Sequence, residues 1–172
     1  MKKDNWIIKA FLMTFFIALI FSAISNVIVN SCNNFAVLII LCLAFILIGI
    51  FFDIIGTAVL TANEASFHAK SSKKIKGSKE GVYLVKNSST ISSICNDVIG
   101  DICGIVSGSV AAMLSILVSN KTNFSLVIVT LLISSLVSSL TVGGKAIGKK
   151  FAIRNSAVSY THLRAHETPE HL

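Results

Sequence analysis

Five side chains able to bind a cation lie within, or at the ends of, long apolar runs: Asp53, Glu64, Asn96, Asp97 and Asp101. A carboxylate or amide in hydrocarbon is costly and normally faces a bundle interior or a water-filled pathway, so each is a functional candidate by position alone. Asp97 and Asp101 are four residues apart, a spacing that stacks them on one helix face with Asn96 beside them. Asp53, Thr57 and Glu64 fall close to one face of the preceding run. Carboxylate, amide and hydroxyl oxygens are the ligands that hard cations such as magnesium prefer, often with waters retained. The chemistry expected of this set is therefore binding of a divalent cation, with magnesium the candidate ion. The competing reading places the acids near span ends, where headgroup water and neighbouring lysines satisfy them. Gly100, Gly104 and Gly108 continue the acidic face as two overlapping G-x-x-x-G units, a pattern that lets a second helix backbone approach closely.

Other chemistry finds no support. The chain has no G-x-S-x-G elbow, no phosphate-binding glycine loop, no H-E-x-x-H and no C-x-x-C, so it does not read as an enzyme. Cys32, Cys42, Cys95 and Cys103 lack paired metal-ligand spacing and supply neither a disulfide framework nor a zinc site. His68 reads as an interfacial polar residue. Ser134-Ser135 and Ser138-Ser139 recur at helical spacing, where bonding back to the preceding turn or contact between helices is the expected role.

The elements that must position the candidates follow from composition. The chain has 172 residues, of which 53% are hydrophobic and 13% charged, and a mean hydropathy of +0.80, which excludes an ordinary soluble domain. Fifteen Lys+Arg against eight Asp+Glu give +7, but the excess sits in short polar segments, so the partner is the lipid bilayer and not a nucleic acid. About 20 apolar residues cross a hydrocarbon core as a helix. Trp6 to Val29, Phe35 to Ala62, Ile94 to Val118 and Phe124 to Val142 meet that length. The fold expected is an all-α, polytopic membrane bundle of four helices, its first 34 residues forming a retained signal-anchor helix and an outer turn.

Basic residues flanking a span stay cytoplasmic. Lys2 and Lys3 put the N-terminus inside, the turn from Asn30 to Asn34 is uncharged, and the next connection carries Lys70, Lys73, Lys74, Lys76, Lys79 and Lys86. Only Lys121 marks the third loop, whereas Lys145, Lys149, Lys150 and Arg154 follow the last span. Both termini are thus expected on the cytoplasmic side of a cell membrane, bacterial in type. The basic connection, interleaved with Ile75, Val82, Tyr83, Leu84 and Val85, reads as two short amphipathic helices suited to an anionic leaflet, or as a solvated loop. Val158 to Thr168 (VSYTHLRAHET) is what a transposase-type sequencing adapter would encode, so residues 158–172 are read as a non-native tail and left out of the fold reading.

The order of features resembles the transmembrane domain of the CorC/CorB and cyclin M family of magnesium and cobalt transport proteins, over Phe35 to Asn155 in a domain set at residues 35–157. Thr61-Ala62-Asn63-Glu64-Ala65 stands where that family has a Ser-Glu-Thr-Ala-like motif. A basic hairpin follows, as Lys70 to Lys86 does, and Cys95-Asn96-Asp97-Val98-Ile99-Gly100 can be laid on Gly-Asn-Asn-Leu-Val-Asn. Gly144-Lys145-Ala146-Ile147-Gly148-Lys149 and Ala152-Ile153-Arg154-Asn155 match Gly-Glu-Ile-Ile-Pro-Lys and Ala-Leu-Arg-Asn. The resemblance implies a three-span core with a cytoplasmic hairpin, a homodimer and a cation site of acidic, amide and hydroxyl groups. Lys145 stands for the family's acid, Gly148 for its proline and Asp97 for its second asparagine. A lysine at a ligand position repels magnesium or substitutes for it as a tethered cation. The alternative function is a non-transporting scaffold or accessory subunit that binds a partner through the glycine face.

Overall fold

The computed structural model describes residues 2–31, 34–62 and 78–165, with side chains placed at 8–29, 34–62 and 80–154. Glu64 and His68, and most of the basic connection, lie outside the described residues. The chain is an all-helical membrane bundle. Helix α1 spans Lys2–Ser31 and α2 Phe35–Thr61; two short helices, α3 (Ser78–Lys86) and α4 (Ser88–Ser93), lead into a π-helical segment, Ile94–Gly100. That segment runs directly into α5 (Asp101–Thr122), and α6 (Leu126–Ala165) is the last element described. Among the described residues, four stretches are long and apolar enough to cross a membrane: Ile8–Val29, Phe35–Thr61, Ser88–Thr122 and Leu126–Arg154.

Local chemistry sets the helix ends. The Asn34 side chain caps α2 by accepting from the Ala36 N–H at 3.1 Å, a role its short carbonyl suits. Asn123 ends α5 with φ 58°, in the left-handed region that asparagine tolerates better than most residues, and its N–H donates to the Ser119 carbonyl at 3.0 Å. Ser119 Oγ donates to the Phe124 carbonyl at 2.8 Å and ties the turn into α6. At 40 residues, α6 is about 60 Å long, roughly twice a hydrocarbon core. The apolar run that begins it ends near Val142, but the helix continues through the lysines that follow.

Helices α2 and α5 form the inner pair. About a third of the α2 span and nearly half of the α4–π–α5 span are buried, against 6% for α1 and for α6. Contacts fix the directions. Cys42 meets Ser107, Gly49 meets Cys103 and Gly56 meets Cys95, so α2 and the third span run antiparallel. Ile50 meets Gly144 and Ile54 meets Gly148, so α2 and α6 run parallel. Phe21 packs on Phe45, while Met13 and Ile17 join Val98, Ile102 and Cys103 in one cluster.

Side-chain size is sorted as lipid requires. Phe11, Phe15, Phe16, Leu131, Leu132 and Leu136 face outward, because acyl chains solvate them as well as a core would. Small and hydroxyl side chains face inward: Ser107, Ser115, Cys103 and Thr57 are buried, and small residues let backbones close on one another. Cys42, Gly49 and Gly56 are seven residues, about two turns, apart on α2 and carry that seam along its length. A Cβ on Gly49 would lie 3.1 Å from the Cys103 Cβ and 3.5 Å from the Gly100 carbonyl oxygen. Ser107 and Ser115 satisfy their hydroxyls on the Gly104 and Ala111 carbonyls of their own helix, at 2.9 and 2.8 Å.

Candidate functional site

The antiparallel and parallel packings together bring three segments to one end of the bundle: the last turns of α2, the π segment with the start of α5, and the lysine-bearing stretch of α6. Asp53 is on the α2 face that holds Gly49, Gly56 and Thr57, and it is 2% exposed. Lys149 reaches it from α6, with Nζ 3.6 Å from Oδ1. The other carboxylate oxygen, Oδ2, is buried and has no hydrogen-bond partner among the described residues.

One turn further along α2, Gly56 has no side chain, and Asn96 of the π segment fills the space. A Cβ there would collide with Asn96 Oδ1 and would lie 2.8 Å from its Cγ and 3.1 Å from the Cys95 Cβ. Asn96 Nδ2 donates to Ser92 Oγ at 3.2 Å, which aims the amide oxygen at α2. That oxygen is also buried and without a partner among the described residues. Asp53 and Gly56 are three residues, about 4.5 Å of helix rise, apart. Two acceptor oxygens without donors are thus held at one helix interface, where buried polar atoms are normally satisfied by protein, water or an ion.

Asp101, at the start of α5, has a side chain 67% exposed and a different partner. Lys145 Nζ lies 3.4 Å from its Oδ1 and donates to the Gly100 carbonyl at 3.3 Å, so this ammonium caps the junction of the π segment with α5. Asp97 is exposed on the π segment. Of the five candidate ligands, the structure therefore brings Asp53 and Asn96 to one interface and directs Asp97 and Asp101 outward. Among the described residues, no group of three or more His, Cys, Asp and Glu side chains could hold a metal ion.

The three glycines also differ. Gly100 is packed between Lys145 and the Gly49 carbonyl, at 3.4 and 3.8 Å from a Cβ built there, whereas a Cβ at Gly104 or Gly108 meets nothing within 4 Å. Those two line a cleft of about 210 Å³ between α5 and α6, with Ala111, Ser134, Ser138 and Thr141 on its walls. In the sequence Lys145 stands at a ligand position and Lys149 is only a flanking charge, and nothing there singles out Ser92. The pairing of Lys149 with Asp53 follows from parallel packing of α2 on α6, which hydropathy does not encode. Compared with family models, curated proteins and solved structures, the chain matches none.

Proposed function

We propose that this protein binds a divalent cation, magnesium being the candidate, at an oxygen-lined site between α2 and the π segment, as part of moving such ions across the membrane. The observation that carries the reading is the pair of buried acceptors, Asp53 Oδ2 and Asn96 Oδ1, without hydrogen-bond donors among the described residues. Their chemistry fits: a carboxylate and an amide oxygen are hard ligands, and a magnesium ion that keeps several of its waters needs only one or two from the protein. Thr57 is also buried at this end of α2. The π segment supports the reading, since such bulges recur at functional sites where an extra residue re-aims side chains. Asp53 and Asn96 would hold the ion, and the Gly56 gap lets Asn96 sit against α2.

The test is magnesium-dependent thermal stabilisation of the purified full chain, in wild type and in an Asp53→Asn, Asn96→Ala double variant. Binding at this site predicts a magnesium-dependent rise in melting temperature that the double variant lacks; an equal rise in both refutes it.

A second reading, a membrane scaffold that transports nothing, is supported by Lys145. Its ammonium is fixed by Asp101 and the Gly100 carbonyl at the position where the resemblance puts a carboxylate. Under that reading Lys145→Glu gives no cation uptake in proteoliposomes; uptake gained by that variant favours the cation reading.

A further inference from the structure

We infer that Lys149 is the resident counter-ion of Asp53 and that a divalent cation enters only by displacing it, so that the lysine acts as a tethered gate on the site. The inference rests on the cation reading above and adds a regulating residue to it.

The contrast between the two lysines of α6 carries the argument. Lys145 and Lys149 are one turn apart and project from the same side of the helix. Lys145 is held: its side chain is 19% exposed, and it donates to a backbone carbonyl and to a carboxylate. Lys149 is held by much less. Its side chain is 49% exposed, and it has one ion pair, Nζ 3.6 Å from Asp53 Oδ1, against the two contacts of Lys145 at 3.3 and 3.4 Å. A lysine ammonium is a strongly hydrated point charge on a flexible stem, and about half of this side chain is left uncovered by the protein. Its partner is 3% exposed and cannot follow it out.

The backbone beneath Lys149 is fixed. A Cβ on Gly148 would lie 2.6 Å from Ile54 Cγ1 and 3.5 Å from Ile50 Cγ2, so α6 is seated on α2 and the moving part is the side chain. Two positive charges at one carboxylate repel, whereas one carboxylate and one cation satisfy each other. Occupancy by the ion and pairing with Lys149 are therefore alternatives, and Asp53 never stands buried without a counter-charge.

The experiment uses the full chain in nanodiscs. Amines are acylated with an N-hydroxysuccinimide ester, and modification of Lys149 and Lys150 is followed by mass spectrometry with and without millimolar magnesium chloride, beside a magnesium titration of the melting temperature. Displacement predicts that magnesium speeds labelling of Lys149 roughly threefold or more, as a shift from a mostly paired to a mostly free amine requires, with Lys150 unchanged. Asp53→Asn gives the fast rate without magnesium and no further response. A magnesium-dependent melting shift with an unchanged Lys149 rate overturns the gate and leaves the site standing. No melting shift and no change in rate overturns both. A magnesium response that persists in Asp53→Asn also overturns the gate, because the effect then bypasses the carboxylate.

Discussion

Asp53 and Lys149 carry opposite charges in unequal surroundings, so deleting one is not equivalent to deleting the other. The Asp53 side chain is 3% exposed and that of Lys149 is 49% exposed. In magnesium-free buffer, Lys149→Met leaves a buried carboxylate with neither its counter-charge nor a donor to Oδ2. Stripping one partner from a buried pair costs about 3–5 kcal/mol. Asp53→Asn leaves an ammonium that can swing into water, and the amide keeps the volume, so the cost is about 0–1 kcal/mol, as for an exposed pair. The double variant then falls close to Asp53→Asn alone, so the coupling equals the cost of Lys149→Met, about 3–5 kcal/mol. At roughly 2–4 °C per kcal/mol for a chain of this length, Lys149→Met lowers the melting temperature by about 6–20 °C and Asp53→Asn by at most about 4 °C. Cys42, Cys95 and Cys103 are free and buried, so a fluorogenic maleimide added to the detergent-solubilised protein reads unfolding on native residues. Equal losses from the two single variants, or an additive double variant, would refute the asymmetry and with it the burial of Asp53.

Two further outcomes follow. Gly56→Ala drives a methyl into Asn96 and costs about 1–3 kcal/mol, while Gly104→Ala, with open space at its Cβ, gains up to about 1 kcal/mol of helix propensity; thermal unfolding of the two variants checks the opposite signs. The lysine distribution predicts both termini on the cytoplasmic side; on that expectation an impermeant maleimide applied to intact cells in a Cys32→Ser background labels Asn120→Cys and leaves Tyr83→Cys unlabelled, and the reverse pattern overturns that orientation.

Span count and helical class were legible because crossing a bilayer demands about 20 apolar residues in a row, a requirement written directly into composition. The boundaries were less so. The third apolar run starts near Ile94 by hydropathy, but the helical path begins at Ser88, because Ser88, Ser89 and Thr90 are too polar to count and still helix-compatible. The π segment left no trace in a hydropathy reading, since one extra residue in a turn changes which side chains face inward without changing how apolar the turn is. For that reason a regular spacing of four put Asp97, Asp101 and Asn96 together, whereas the structure turns Asn96 toward Gly56 and leaves both aspartates exposed. The glycines read as one stripe, but only Gly100 is packed against a neighbouring backbone; a G-x-x-x-G pattern states what a face permits and not which face a neighbour uses.

The lysines after Val142 show how one residue can satisfy two rules. Counted as flanking charges, Lys145 and Lys149 orient the last span and lie outside the bundle's chemistry. Helix α6 does not stop where its apolar run stops, however, and because it is parallel to α2 and antiparallel to α5, its next turns pass over the ends of both. Lys145 then meets Asp101 and Lys149 meets Asp53, so two carboxylates and two ammonium groups are paired at this end of the bundle. A divalent ion added to that balanced set would leave two uncompensated positive charges in a region partly closed to water. Release of a lysine removes one of them. Once an ion neutralises Asp53, the half-exposed Lys149 would lose one ion pair on leaving, whereas Lys145 would abandon a backbone carbonyl as well as a carboxylate. On the proposed reading, cation entry at Asp53 would thus require a departing charge, and Lys149 is the residue suited to depart.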